Sequence, residues 1–147
     1  MKPEVTVNIS IDVPSLAEGL AFYQSIFGFE EVARPFPTMA VLNAGNTSIC
    51  VHEKSEGSAS SSTSTDLRRY QRHWTPVHLD FHVDTLTPIV DGIMEAGGQV
   101  ERLLLTEGPR PVAFCGEPVT VPSARLMKAE WGLGTSPSPL ARSARAL

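Results

Sequence analysis

Val7-Asn8-Ile9-Ser10-Ile11-Asp12-Val13 and, seventy positions later, Val77-His78-Leu79-Asp80-Phe81-His82-Val83 decide how this chain is read. In each stretch apolar and polar residues alternate with a period of two, the pattern of a strand with one face buried and one face open. Val7, Ile9, Ile11 and Val13 fall in step with Val77, Leu79, Phe81 and Val83, and the polar Asn8, Ser10 and Asp12 with His78, Asp80 and His82. Self-similarity at a fixed offset marks an internal repeat.

The agreement continues outward from the two strands. Ser15 and Thr85 follow in N-cap positions, where a hydroxyl oxygen accepts a hydrogen bond from an unpaired N–H of the first helical turn. Apolar residues then recur at helical spacing, Leu16, Leu20, Tyr23 and Phe27 in the first half and Leu86, Ile89, Val90, Ile93 and Met94 in the second. Each run stops at a glycine, Gly28 or Gly98, suited to the left-handed conformation that ends a helix. Beyond the first helix, 31–36, 39–43 and 47–52 read as strands parted by Pro35, Pro37 and the Ala44-Gly45-Asn46 turn. In the second half 99–106 and 111–115 read as extended, and a last strand is expected within 124–130. The sequence therefore predicts an α+β protein made of two tandem βαβββ modules, 5–53 and 76–131.

The modules are joined by a serine-rich segment, 54–75, whose centre Ser58-Ala59-Ser60-Ser61-Ser62-Thr63-Ser64-Thr65 is too small and polar to build a core; it is expected to be a mobile linker or lid. Within its second half, Arg68-Arg69-Tyr70-Gln71-Arg72-His73-Trp74 reads as a loop packed by Tyr70 and Trp74. Residues 132–147 lack a core pattern and are expected to form a flexible tail.

At 147 residues and 41% hydrophobic content the chain suffices for one ordinary domain, 1–131. The net charge of −4, with 12 Lys and Arg scattered along the sequence, excludes the clustered cations of a nucleic-acid surface. No apolar run is long enough to span a bilayer and the start has no apolar leader core, so no membrane partner and a cytoplasmic location are expected. Cys50 and Cys115 have neither CxxC nor His-flanked spacing and read as buried reduced thiols.

Val7–Val13 followed by Ala21-Phe22-Tyr23-Gln24-Ser25-Ile26-Phe27-Gly28-Phe29, with Pro76–Asp84 followed by Glu95-Ala96-Gly97-Gly98, resembles the vicinal oxygen chelate superfamily, which includes glyoxalase I, bleomycin-resistance proteins and extradiol dioxygenases. The resemblance runs from about Val5 to Cys115. It implies that the two modules curl into a half-open curved sheet with helices outside, whose concave face holds a small-molecule ligand. It places Asn8, Ser10, Asp12, Cys50, His52, His78, Asp80, His82 and Arg125 on that wall. Asp12 and Asp80 read equally well as solvent-facing residues at a sheet edge.

Enzymes of the superfamily bind one divalent ion through the first and last strands of each module. Here the resemblance implies His78 as a ligand, with His52 or Cys50 from the last strand of the first module. Asn8 stands where His or Gln is usual, and Arg125 stands near the usual carboxylate; a guanidinium does not ligate. Glu130 reaches the carboxylate position only after a shift of register. Two functional classes follow. The first is a bleomycin-resistance-like binding protein that needs no cofactor. The second is a metal-dependent lyase, isomerase or dioxygenase using His78, His52 and Glu130. With Asp12 and Asp80 on the wall, cationic aromatic ligands are expected to bind better than anionic ones, against the opposing charge of Arg125. The resemblance also implies a homodimer. Light scattering at tens of micromolar should read a dimeric mass, and a strictly monomeric one would count against this assembly while leaving the fold untouched.

Overall fold

The computed structural model of the protein describes residues 4–71, 73, 76–105 and 111–116, together with the backbone of 126–129. The chain divides into two units, Met1–Tyr70 and Gln71–Leu147.

In the first unit the alternation quoted above becomes β1 (Asn8–Val13), and the helical spacing becomes α1 (Leu16–Phe27). They are followed by β2 (Glu30–Phe36), β3 (Met39–Asn43) and β4 (Ser48–Glu53). The sheet order is β1-β4-β3-β2, with β1 parallel to β4 and the other neighbours antiparallel. Ile11 and Val13 of β1, Ala40 and Leu42 of β3, and Ile49 and Val51 of β4 are buried, as are Leu16, Leu20 and Tyr23 of α1. Gly19 sets the approach of helix to sheet: a Cβ there would lie 3.1 Å from Val13 and 3.3 Å from Val51.

The start of α1 is fixed twice. Ser15 Oγ accepts from the Glu18 N–H at 3.4 Å, and Glu53, at the end of β4, accepts from the Leu16 N–H at 2.8 Å. The second bond ties a helix N-terminus to the far end of the module and places a negative charge where the helix dipole favours one. At the other end Gly28 takes φ 67°, and its N–H bonds the Gln24 carbonyl.

The second unit repeats the plan with β5 (Asp80–Val83), α2 (Leu86–Glu95), β6 (Gln99–Leu104), β7 (Val112–Gly116) and β8 (Leu126–Ala129), in the order β5-β8-β7-β6. Leu86, Val90 and Ile93 are the buried residues of α2. They sit seventy positions after Leu16, Leu20 and Tyr23, so the repeat extends to which side chains are covered. The fold class is α+β, as the sequence predicts.

Two local expectations need correction. Thr85 occupies the N-cap position of α2 with extended backbone but makes no side-chain capping bond. The reason lies three residues on: where Ser15 finds the N–H of Glu18, Thr85 meets Pro88, which has none. The left-handed glycine after α2 is Gly97, at φ 86°, and not Gly98. Gly98 answers a different constraint, since a Cβ there would fall 2.5 Å from the Ile93 side chain and 2.8 Å from the Gly116 carbonyl.

The serine-rich segment carries backbone and side-chain hydrogen bonds of its own. Gly57 and Arg68 exchange backbone contacts across it, with Gly57 N–H donating to the Arg68 carbonyl and Arg68 N–H to the Ser58 carbonyl, both at 2.9 Å. Ser60 N–H donates to the Asp66 carbonyl at 3.0 Å, and Ser58 Oγ to the Ser55 carbonyl at 2.6 Å. Tyr70 is buried, and its hydroxyl donates to the Lys54 carbonyl at 2.7 Å. Short hydroxyl side chains bond nearby backbone in irregular segments, and that property organises this one. Trp74, expected to pack beside Tyr70, lies outside the described residues.

The two glycines make a stability comparison. Gly28→Ala places a Cβ in open space at positive φ and should cost about 1 kcal/mol, whereas Gly98→Ala forces side chain and backbone apart and should cost about 2–3 kcal/mol. Urea denaturation of the two variants checks the order, and equal midpoints would refute the steric account of Gly98.

Candidate functional site

A single helix covers one face of each four-stranded sheet, and the residues on the other face are the candidate site. In the first unit the strand register lays that face out as rows. Asp12 is opposite His52, His52 opposite Met39, and Met39 opposite Phe36. Ser10, Cys50, Val41 and Ala33 form the next row, and Asn8, Ser48, Asn43 and Glu30 the last. The polar side chains therefore gather on β1 and β4, while Val41, Met39 and Phe36 make an apolar strip on β3 and β2. Phe36 is 62% exposed. Asn8, Ser10, Asp12, Cys50 and His52, all singled out from the sequence, share this face. Ser48, Met39 and Val41 were not singled out, although the same period-two pattern identifies them once the register is known.

Asp12 does not stand alone. Arg68 reaches it from the serine-rich loop, with Nε 2.7 Å from the Asp12 carboxylate. The same guanidinium donates to Ser58 Oγ at 3.3 Å, to the Ala59 carbonyl, and to the Ser60 carbonyl at 3.4 Å. Nearby, Tyr70 is held above the usual tyrosine range, first by burial and then by the negative charge of Asp12. Nothing in the sequence marks Arg68, because its partner lies 56 residues away and the intervening loop has no regular pattern.

In the second unit Asp80 and His82 occupy the exposed positions of β5. His78 precedes the strand, which starts at Asp80 and not at Val77. Its Nδ1 lies 3.2 Å from Asp80 Oδ1. A carboxylate at one ring nitrogen fixes the orientation of an imidazole and directs Nε2 outward. His82 pairs in register with Lys128, and Lys128 with Val112, so β8 stands between the polar first strand and Val112 and Phe114 of β7 and Leu104 of β6. Cys115 lies on the covered face with Ala113, and burial pushes its thiol up to about 12.

A divalent ion needs about three or four converging donors. Among the described residues no three of His, Cys, Asp or Glu converge. Asn8 adjoins Ser48 and not His52, and Asp12 is engaged by Arg68. Neither Asn8 nor Asp12 therefore adds a free donor beside His52. Glu130, the carboxylate that would complete a set, and Arg125 lie outside the described residues. No helix among them is long and apolar enough to cross a membrane.

Residues 8–112 match a family described as a glyoxalase-like domain. A comparison with the curated proteins returns no match. Among solved structures the chain is similar to a hypothetical protein from S. aureus, at TM-score 0.64 and 17% identity over 87% of this chain and 94% of that one. It is also similar to a point mutant of the genomically encoded fosfomycin resistance protein FosX from Listeria monocytogenes, complexed with Mn(II) and 1S,2S-dihydroxypropylphosphonic acid, at TM-score 0.62 and 15% identity over all of both chains. Lactoylglutathione lyase from Agrobacterium tumefaciens gives TM-score 0.53 and 14% identity over 90% of this chain and 96% of that one. Identities at this level establish a shared fold.

The assignment of faces predicts a difference between the two thiols. In the native protein at pH 8, iodoacetamide should modify Cys50 on the open face and leave Cys115 untouched until the chain is unfolded. Peptide mass mapping reads this directly, and rapid native labelling of Cys115 would contradict the packing of β7 under α2.

Proposed function

Because the chain belongs to the glyoxalase-like domain family, within the vicinal oxygen chelate superfamily, we propose that it is a small-molecule-binding protein that uses its open sheet faces without a resident metal ion. One observation carries this reading. In the first unit polar residues of β1 and β4 border an apolar strip on the uncovered face, Asp12 and His52 beside Met39 and Phe36. Such a surface suits a ligand with an aromatic or aliphatic body and a polar head. The first row spans three inter-strand steps, roughly 14 Å, enough for a molecule of one or two rings.

Arg68 offsets the charge of Asp12, so a hydrogen-bonding head suits that end better than a full positive charge. This revises the preference for cations that the two carboxylates alone suggest. A homodimer remains part of the proposal.

A second reading, a metal-dependent lyase, isomerase or dioxygenase, is favoured by the His78–Asp80 pair. An imidazole oriented by a carboxylate is the usual support of a metal-ligating histidine. It would draw on His78, His52 and Glu130 and hold a single divalent ion, which would supply Lewis-acid polarisation.

Elemental analysis of protein purified without added metal separates the two. The binding reading expects well under one divalent ion per chain. It also expects His78→Ala to leave folding intact and to weaken small-molecule binding by about 1 kcal/mol, the worth of one hydrogen bond. Near one zinc, nickel, iron or manganese per chain, lost in His78→Ala, would establish the second reading instead.

A further inference from the structure

Asp12 is the one carboxylate on the uncovered face of β1, and its side chain is 38% exposed even with Arg68 against it. Arg68 itself is only 17% exposed and is pinned at several points, with Nε on one carboxylate oxygen and its two terminal nitrogens on Ser58, Ala59 and Ser60. Lys54 and Glu56 follow β4 at this end, and Glu56 adds negative charge near Tyr70. His52 is the cross-strand neighbour of Asp12, and Glu53 points its carboxylate at the Leu16 N–H. A ligand head arriving at this end of the Asp12–His52–Met39–Phe36 row therefore meets a carboxylate whose charge is cancelled by a cation delivered from the loop.

We propose that Arg68 is a specificity-determining residue, which selects against cationic ligands by occupying Asp12 in their place. The guanidinium stands where the ammonium of an amphipathic amine would otherwise sit, and its loop bonds hold it there. Such a residue acts by excluding wrong partners and not by adding affinity for right ones. The proposal rests on the small-molecule-binding reading, and its test is arranged so that the two fail separately.

Three probes of one size and different charge make the test: benzamide, benzylamine (cationic at neutral pH) and benzoate, titrated by NMR against the full-length protein. The wild type should bind benzamide at least as well as either charged probe. Arg68→Gln should bind benzylammonium roughly fivefold more tightly than wild type, the scale of one partly exposed ion pair, and adding Asp12→Asn should remove that gain. Arg68→Lys keeps the charge and loses the planar fork to the loop, so its benzylammonium affinity should stay near that of wild type.

An equal gain in Arg68→Lys would show that loosening of the loop, not charge, is responsible and would overturn the proposal. So would an unchanged preference in Arg68→Gln while benzamide still binds. If benzamide binds neither wild type nor any variant, the uncovered face is not a ligand site, and the reading beneath the proposal falls with it.

Discussion

Among the described residues each four-stranded sheet has two faces and one helix to cover them. The period-two alternation of β1 and β4 resolves this by sending Ile11, Val13, Ile49 and Val51 toward α1 and Ser10, Asp12, Cys50 and His52 away from it. A shift of one residue in either strand would exchange the two sets, burying Asp12 and exposing Val13. The register that makes the core thus also makes the site, and neither can change without the other.

How much of this was legible in the sequence follows from the range of the interactions involved. The repeat, both helices, the order of strands and the shared face of Asn8, Ser10, Asp12, Cys50 and His52 depend on local periodicity and on the equivalence of two halves. The details that escaped depend on contacts between residues far apart in the chain. Glu53 capping α1 and Arg68 reaching Asp12 are examples. The silent Thr85 cap was readable in principle, since Pro88 is visible in the sequence, but the repeat with Ser15 obscured it. The backbone pairing and hydroxyl bonds within the serine-rich segment were likewise not legible, because they follow no apolar pattern.

The site shows the same division. Its polar members could be chosen by residue type, but its electrostatic character could not, because that depends on which charges end up as neighbours. Counted from the sequence, Asp12 and Asp80 make the wall acidic; in the fold, Arg68 stands 2.7 Å from the Asp12 carboxylate. Site residues on a recurring fold are informative only together with what surrounds them.

The parallel pairing of β1 with β4 has a consequence for how this architecture can vary. Two parallel neighbours finish at the same end of the sheet, so the chain leaves the first module beside the place where β1 ends, and Lys54 N–H bonds the Val13 carbonyl there at 2.9 Å. Whatever follows the module emerges next to Asp12. Loop closure penalises added residues only weakly, by roughly 0.6 kcal/mol for each doubling of length. The connector is thus a region in which insertions, deletions and substitutions can redraw the chemistry at one end of the uncovered face while the sheet and its core stay as they are.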